Sequence, residues 1–231
     1  NYIVFLDADD LWQSNHLQVL KKLIKDFPDC GMYCTGYHKK KSDKSNIRAV
    51  FGSIENHFRG IVKNYFENSL PFTVAGMGAV ALPKTVFESF NGFTTHVTHG
   101  EDIELWTKIA LEHDVALHNI ATVTHQLHVH SRASDKDIKE KRFSNFNQFK
   151  AAESSNPALK RYLDHNRYAI ALRYRLAGNE TEFKGWMKHV NKRNLNMKQK
   201  TLLKLPVGLL VTFKKTHRLL LEKGLYLSTY R

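Results

Sequence analysis

The sequence predicts an α/β chain with a mostly α-helical C-terminal region, and three observations predict it. A short β-branched and aromatic run, Tyr2-Ile3-Val4-Phe5-Leu6, opens the chain. Apolar residues then recur at helical spacing between further strand-like runs, and beyond residue 131 only helical patterns remain.

Tyr2–Leu6 has the continuous apolar character of a strand buried on both faces, the kind that parallel sheets supply. A parallel strand needs neighbours, so the run also implies that an N-terminal half precedes it in a longer domain. Asp7-Ala8-Asp9-Asp10 follows, then a helix with Ser14 as N-cap and Leu17, Leu20, Leu23, Ile24 and Phe27 at helical spacing, stopped by Pro28. Gly31–Tyr37 reads as a second strand and Lys39–Ser45 as a polar, basic loop. Phe58–Phe66 reads as a helix and Ala79–Leu82 as a short strand. Pro83 starts a helix through Phe90, where a missing N–H costs nothing, and Asn91-Gly92 turns the chain. Glu101–Glu112 is an amphipathic helix with Ile103, Trp106, Ile109 and Ala110 on one face; Val115–Val129 is strand with a break. The polar stretch Ser131–Lys139 marks the boundary between a first domain, 1–132, and a helical basic region, 133–231. In the latter Phe143, Phe146 and Phe149 recur every three residues, and Leu159 through Leu176 continue a helical pattern.

Composition bounds the function. Hydrophobic residues are 42% of the 231, enough for a packed core, so a disordered chain is excluded. Two cysteines, Cys30 and Cys34, make no disulfide framework, and with no signal peptide they point to a reducing, cytoplasmic setting. No run of about 18 apolar residues exists to span a membrane. The net charge of +13 is uneven: residues 1–130 hold 12 Lys/Arg against 14 Asp/Glu, and residues 131–231 hold 23 against 8. The basic part calls for an anionic partner.

Three constellations could carry chemistry. Asp7 and Asp9, two residues apart in a turn at the carboxyl end of a strand, can share a hard divalent cation, Mn²⁺ or Mg²⁺, which takes oxygen ligands and leaves places for substrate phosphates. The plain alternative is an acidic turn in water. Gly100-Glu101-Asp102 opens the helix that carries Trp106. Acids there favour the helix dipole, and a helix end would also keep Asp102 ionised as a general base. His125, His128 and His130 precede Ser131 and Arg132, and a His-Ser-Arg turn would form charge-assisted hydrogen bonds to a phosphate. A lone strand histidine is otherwise a core or surface residue.

The hydrophobic strand with Asp7-Ala8-Asp9-Asp10-Leu11-Trp12, the Phe87–Phe93 stretch ending Asn91-Gly92-Phe93, and Glu101-Asp102-Ile103-Glu104-Leu105-Trp106 through Ala110 occur in this order, with about ninety residues between the acidic sites. Together they resemble a family 2 glycosyltransferase, with the nucleotide-sugar-binding α/β fold called GT-A, over residues 1–132. The resemblance implies an inverting, metal-dependent hexosyltransferase. Its donor would be a nucleoside-diphosphate sugar and its acceptor a saccharide or a lipid-linked saccharide, in cell-surface polysaccharide synthesis. Asp9 would be the main metal ligand, and Asp7 would lie beside it near the donor. Asp102 would be the catalytic base, and Glu101 and Trp106 would line the acceptor pocket. His130 and Arg132 would sit on a loop closing over the donor diphosphate. The resemblance also implies that the N-terminal nucleotide-binding half lies before Tyr2.

The basic region has three readings: solvated lysines on packed helices, an anionic membrane surface met by the leucines and cations of Leu202–Leu221, and nucleic acid, for which no motif is present. The membrane reading places the protein peripherally at the inner face of the cell membrane. Two alternatives to the transferase remain. One is a non-catalytic basic module for an anionic membrane or another polyanion. The other is a haloacid-dehalogenase-like phosphatase, which shares a strand followed by Asp-x-Asp but not the residues after it.

Overall fold

The computed structural model describes residues 1–127 and 137–222. They fall into two compact units. The first holds 1–41, 46–127 and 141–144, and the second holds 42–45, 137–140 and 145–222.

The first unit is α/β and is built on a seven-stranded sheet. β1 (Tyr2–Val4), β6 (Val80–Pro83), β3 (Met32–Ser42), β7 (Val115–Gln126) and β2 (Leu11–Trp12) lie side by side in that order; β4 (Ser45–Arg48) pairs with β3 and β5 (Arg59–Ile61) with β7. β3 and β7 run parallel, while β1–β6, β3–β6, β2–β7 and β5–β7 are antiparallel. The sheet is therefore mixed. The opening strand pairs antiparallel with β6 rather than in the parallel sheet its composition predicts. It is not buried on both faces either: Tyr2 and Leu6 are 47% and 51% exposed.

Helix α1 (His16–Asp26) starts after Asn15, one residue later than a Ser14 cap would place it. Its Leu20 and Leu23 are sealed against Tyr33, Ala81 and Ala116, and burying each leucine contributes about 1.5–3 kcal/mol. Phe58–Phe66 is not a helix. Gly60 weakens one, and the run instead lays β5 against β7, turns at Asn64 (φ 54°) and closes with the short α2 (Tyr65–Asn68). Lys39–Ser45 turns only at Asp43 and Lys44. β3 runs to Ser42; β7 pairs with it through Lys40, where the Leu127 N–H reaches the Lys40 carbonyl at 2.7 Å, and β4 pairs with it after the turn. The expected break in β7 is a bulge. β7 advances from His118 to Val123 while β3 advances from Thr35 to Tyr37. Gly36 permits this close approach, because a Cβ there would stand 3.0 Å from the Ile120 backbone. Helices α3 (Lys84–Ser89) and α4 (Glu101–Glu112) form as the sequence predicts. Cys30 and Cys34 are buried free thiols, both pushed up by burial.

The second unit is helical: α5 (Lys150–Ser155), α6 (Pro157–Leu176), α7 (Glu180–Met187), α8 (Met197–Lys204) and α9 (Val207–Glu222). Asn156 caps α6 by accepting the Leu159 N–H, and Pro157 occupies the first turn, where no N–H is needed. Tyr168, Val190 and Leu195 form a core with Leu172, Met187 and Leu203. Arg167, 2% exposed, is paired with Glu153 and donates to the Phe146 carbonyl at 2.9 Å. It also lies 3.5 Å from Asp164 Oδ1. Asp164, fully buried, accepts from the Asn191 N–H (3.1 Å) and Asn194 Nδ2 (2.8 Å). Among the described residues no helix is long and apolar enough to cross a membrane.

Candidate active site

The acidic turn after β1 is held from below. The Asp10 N–H donates to the Asp7 carbonyl (3.0 Å), closing the turn. Asp10 Oδ1 accepts the Gln126 N–H (3.0 Å), and Gln126 Nε2 donates to the Asp9 carbonyl (2.9 Å). Asp10 Oδ2 stands 3.7 Å from His125 Nε2, whose N–H donates to the Met77 carbonyl at 2.6 Å. The Trp12 indole N–H donates to Gly78 O (2.9 Å). Asp10 and Gln126 therefore position the turn, while Asp7 is exposed and Asp9 half-buried.

The second acidic site is the first turn of α4, entered through Gly100 at φ 82°. The Asp102 carboxylate accepts the Ile103 N–H at 2.7 Å. Glu104 points the other way. It is buried, accepts from Thr94 Oγ1 (3.0 Å) and pairs with Lys108 (2.6 Å). Burial works against its ionisation, but the Lys108 ammonium and the Thr94 hydroxyl prevail and hold its pKa low.

An aromatic clasp brings the two acidic sites together. Phe5, two residues before Asp7, packs on Phe93 (5.3 Å between ring centres), Phe87 (6.0 Å) and Trp106 (6.1 Å). Trp106 lies four residues after Asp102, hence on the same face of α4. The electrostatics agree with this placement. Burial raises the pKa of Glu101, and the charges of Asp102 and Asp7 push it further up. Burial likewise raises Asp102. The Ile103 N–H, its own N–H and the Lys39 ammonium work against the rise, and Asp7 adds to it. The sequence predicts that the helix end keeps Asp102 low, but desolvation outweighs the backbone donors. One oxygen of Glu101, Oε2, is buried with no hydrogen-bond partner among the described residues.

Trp106 is not an acceptor platform. It is fully buried between Phe5 and Phe93, with no ring face open to a sugar. His125 is a packing residue, stacked on Tyr37 at 4.6 Å. His130 and Arg132, with His128 and Ser131, lie outside the described residues. Lys39 is the site residue that sequence reasoning missed. Its Nζ lies 5.1 Å from the Phe72 ring centre and 5.7 Å from that of Tyr37, and its charge reaches Asp102. The strand alternation of Tyr37, Lys39 and Lys41 could have found it.

Among the described residues no group of three or more His, Cys, Asp or Glu side chains is arranged to hold a metal. A Mg²⁺-like ion needs only one or two carboxylates, with water and substrate phosphates completing its shell. Asp7 and Asp9 are carboxylates of that chemical kind, two residues apart in one turn. A cation there would offset the repulsion that Asp7 exerts on Glu101 and Asp102. No known family model matches the chain, and no curated protein matches it.

Proposed function

We propose that the first unit belongs to an inverting, metal-dependent glycosyltransferase of the GT-A kind. It would move a sugar from a nucleoside-diphosphate sugar to a hydroxyl of a saccharide or lipid-linked acceptor in cell-surface polysaccharide synthesis. One observation carries this reading. The Phe5–Trp106 clasp sets the Asp7–Asp9 turn and Asp102 in one neighbourhood, where Asp102 feels the charge of Asp7. The order and spacing of the three sequence stretches support it.

In this reading Asp102 accepts the proton of the acceptor hydroxyl as that oxygen attacks the anomeric carbon from the face opposite the leaving group. Its raised pKa makes it a stronger base than a surface aspartate, and Lys39 with the two backbone N–H groups keeps it ionisable. Asp7 and Asp9 would hold Mn²⁺ or Mg²⁺. When bound, the ion supplies Lewis acidity that neutralises charge on the departing nucleoside diphosphate. Glu101 faces the acceptor, and the assignment of His130 and Arg132 to the donor diphosphate rests on the resemblance alone.

The test begins with Mn²⁺, whose free six-line paramagnetic resonance signal fades on binding. The chain should quench that signal, Asp9→Ala should restore it, and Asp102→Asn should leave it quenched. In a chain extended over the N-terminal half that the resemblance implies, Asp102→Asn should cut release of nucleoside diphosphate from a donor and acceptor pair by about a hundredfold or more. Near-normal release in the asparagine variant, or Mn²⁺ binding indifferent to Asp9→Ala, refutes the assignment.

A further inference from the structure

Helix α9 exposes a face that its own unit does not cover. At about 100° per residue, Leu209, Thr212, Phe213, Thr216, Leu219 and Leu220 fall within an arc of roughly 120°. Leu209, Phe213 and Leu219 are 50%, 57% and 59% exposed. The arc carries no charge. It also carries no idle hydroxyl donor, because Thr212 Oγ1 donates to the Gly208 carbonyl and Thr216 Oγ1 to the Thr212 carbonyl, both at 3.1 Å. Leu210, on another side of the helix, is 3% exposed and anchors α9 against α6.

The chain around this face is strongly basic. From residue 183 to residue 222 the sequence holds ten Lys or Arg against one acid, Glu222, which ends α9 and falls outside the apolar arc. Lys204, Lys214 and Lys215 are exposed; on the wheel Lys215 stands about 40° beyond one edge of the apolar arc, while Lys214 lies on the far side of the helix. An uncharged apolar arc flanked by Lys215, in a stretch with a large excess of Lys and Arg, is the pattern of a helix lying in the headgroup region of an anionic bilayer. A nucleic acid or a free polyphosphate would use the cations but leave Leu209 and Phe213 in water.

We infer that α9 is an interfacial helix that docks the chain on an anionic lipid surface, with Leu209, Phe213 and Leu219 entering the bilayer boundary and Lys215, at the edge of the apolar arc, meeting headgroup phosphates. The inference rests on α9 alone and does not depend on sugar transfer.

The experiment uses the full chain and vesicles of phosphatidylcholine with and without phosphatidylglycerol, read by co-sedimentation. Binding should require phosphatidylglycerol and weaken as salt rises. Lys215→Gln should weaken it about fivefold, and Lys214→Gln, on the far side of the helix, by less. Phe213→Ser should weaken it about tenfold or more with helix content unchanged by circular dichroism. A Phe213→Trp variant keeps the test open if the serine variant fails to fold, since brominated lipid should quench the added tryptophan. Equal binding to neutral vesicles overturns the proposal, as does no binding at all or a tryptophan at 213 untouched by brominated lipid. Binding to duplex DNA or polyphosphate with the same loss on Phe213→Ser would also overturn it.

Discussion

Acid should loosen the first unit through its buried and half-buried imidazoles, and one of them, His16, can be isolated. His16 begins α1 and is fully buried under the Trp12 ring, 4.5 Å away. The Thr122 hydroxyl donates to Thr35 Oγ1 (2.7 Å), so it accepts from His16 Nδ1 (2.8 Å). That leaves Nε2 as the unprotonated nitrogen, and it is buried with no partner among the described residues. A proton placed there would have no acceptor. Burial accordingly pushes the pKa down from 6.5 to about 4. The unfolded chain then takes up this proton before the folded one does. The contribution to stability is complete above the unfolded value, declines as pH falls through 6.5, and stops declining below about 4. A difference of this size amounts to about 3 kcal/mol in full, of which about 2 kcal/mol is lost between pH 7 and pH 5. Urea unfolding followed by tryptophan fluorescence at those two pH values measures it. His16→Asn keeps an N–H for Thr122 and cannot titrate. The other histidines act equally in both chains, so the pH-dependent loss should be smaller in the variant by about 2 kcal/mol. Equal losses in the two chains would refute the reasoning.

Two further perturbations probe the supports described above. Asp10→Ala strands the Gln126 N–H and should cost about 1–3 kcal/mol of stability, with weaker Mn²⁺ binding although Asp10 is not assigned as a ligand. Asp10→Asn keeps the acceptor oxygen and should restore both, as read by calorimetry and Mn²⁺ resonance; an asparagine variant as damaged as the alanine one would show that charge, not the hydrogen bond, matters. Arg167→Met removes the guanidinium but leaves Lys160 paired with both Glu153 and Asp164, and should cost about 1–3 kcal/mol. Full recovery of that loss in a triple variant Arg167→Met, Glu153→Leu, Asp164→Leu would not be expected, because Asp164 also serves Asn191 and Asn194. Chemical denaturation of both variants checks the pair.

The acidic pairs were legible because each lies within a few consecutive residues, where spacing alone limits what they can share. Their convergence was not, because it depends on Phe5 meeting Trp106 across the sequence. Periodicity marks both as apolar without naming a partner. The misreading of Trp106 has a physical source. Beside Leu105 and Ile109, both buried, an indole at helical spacing is core material, and proximity to Asp102 in sequence obscured that. Phe58, Ile61, Val62, Tyr65 and Phe66 satisfy a helical period, yet the backbone of β7 competes for Gly60 and wins. Charged residues at 39–41 suggested a loop because composition reports solvent, whereas strand pairing is decided by the neighbouring main chain.

The surplus length of β7 opposite Gly36 makes the site a matter of parity. Side chains on a strand alternate, so removing one residue between 119 and 121 would exchange odd and even positions downstream. The place from which His125 reaches Met77 would fall to a neighbour, and a different amide would stand under Asp10. Every acid of the turn would survive such a deletion, yet the turn would lose its seat. At this spot a change in count outweighs most changes in kind.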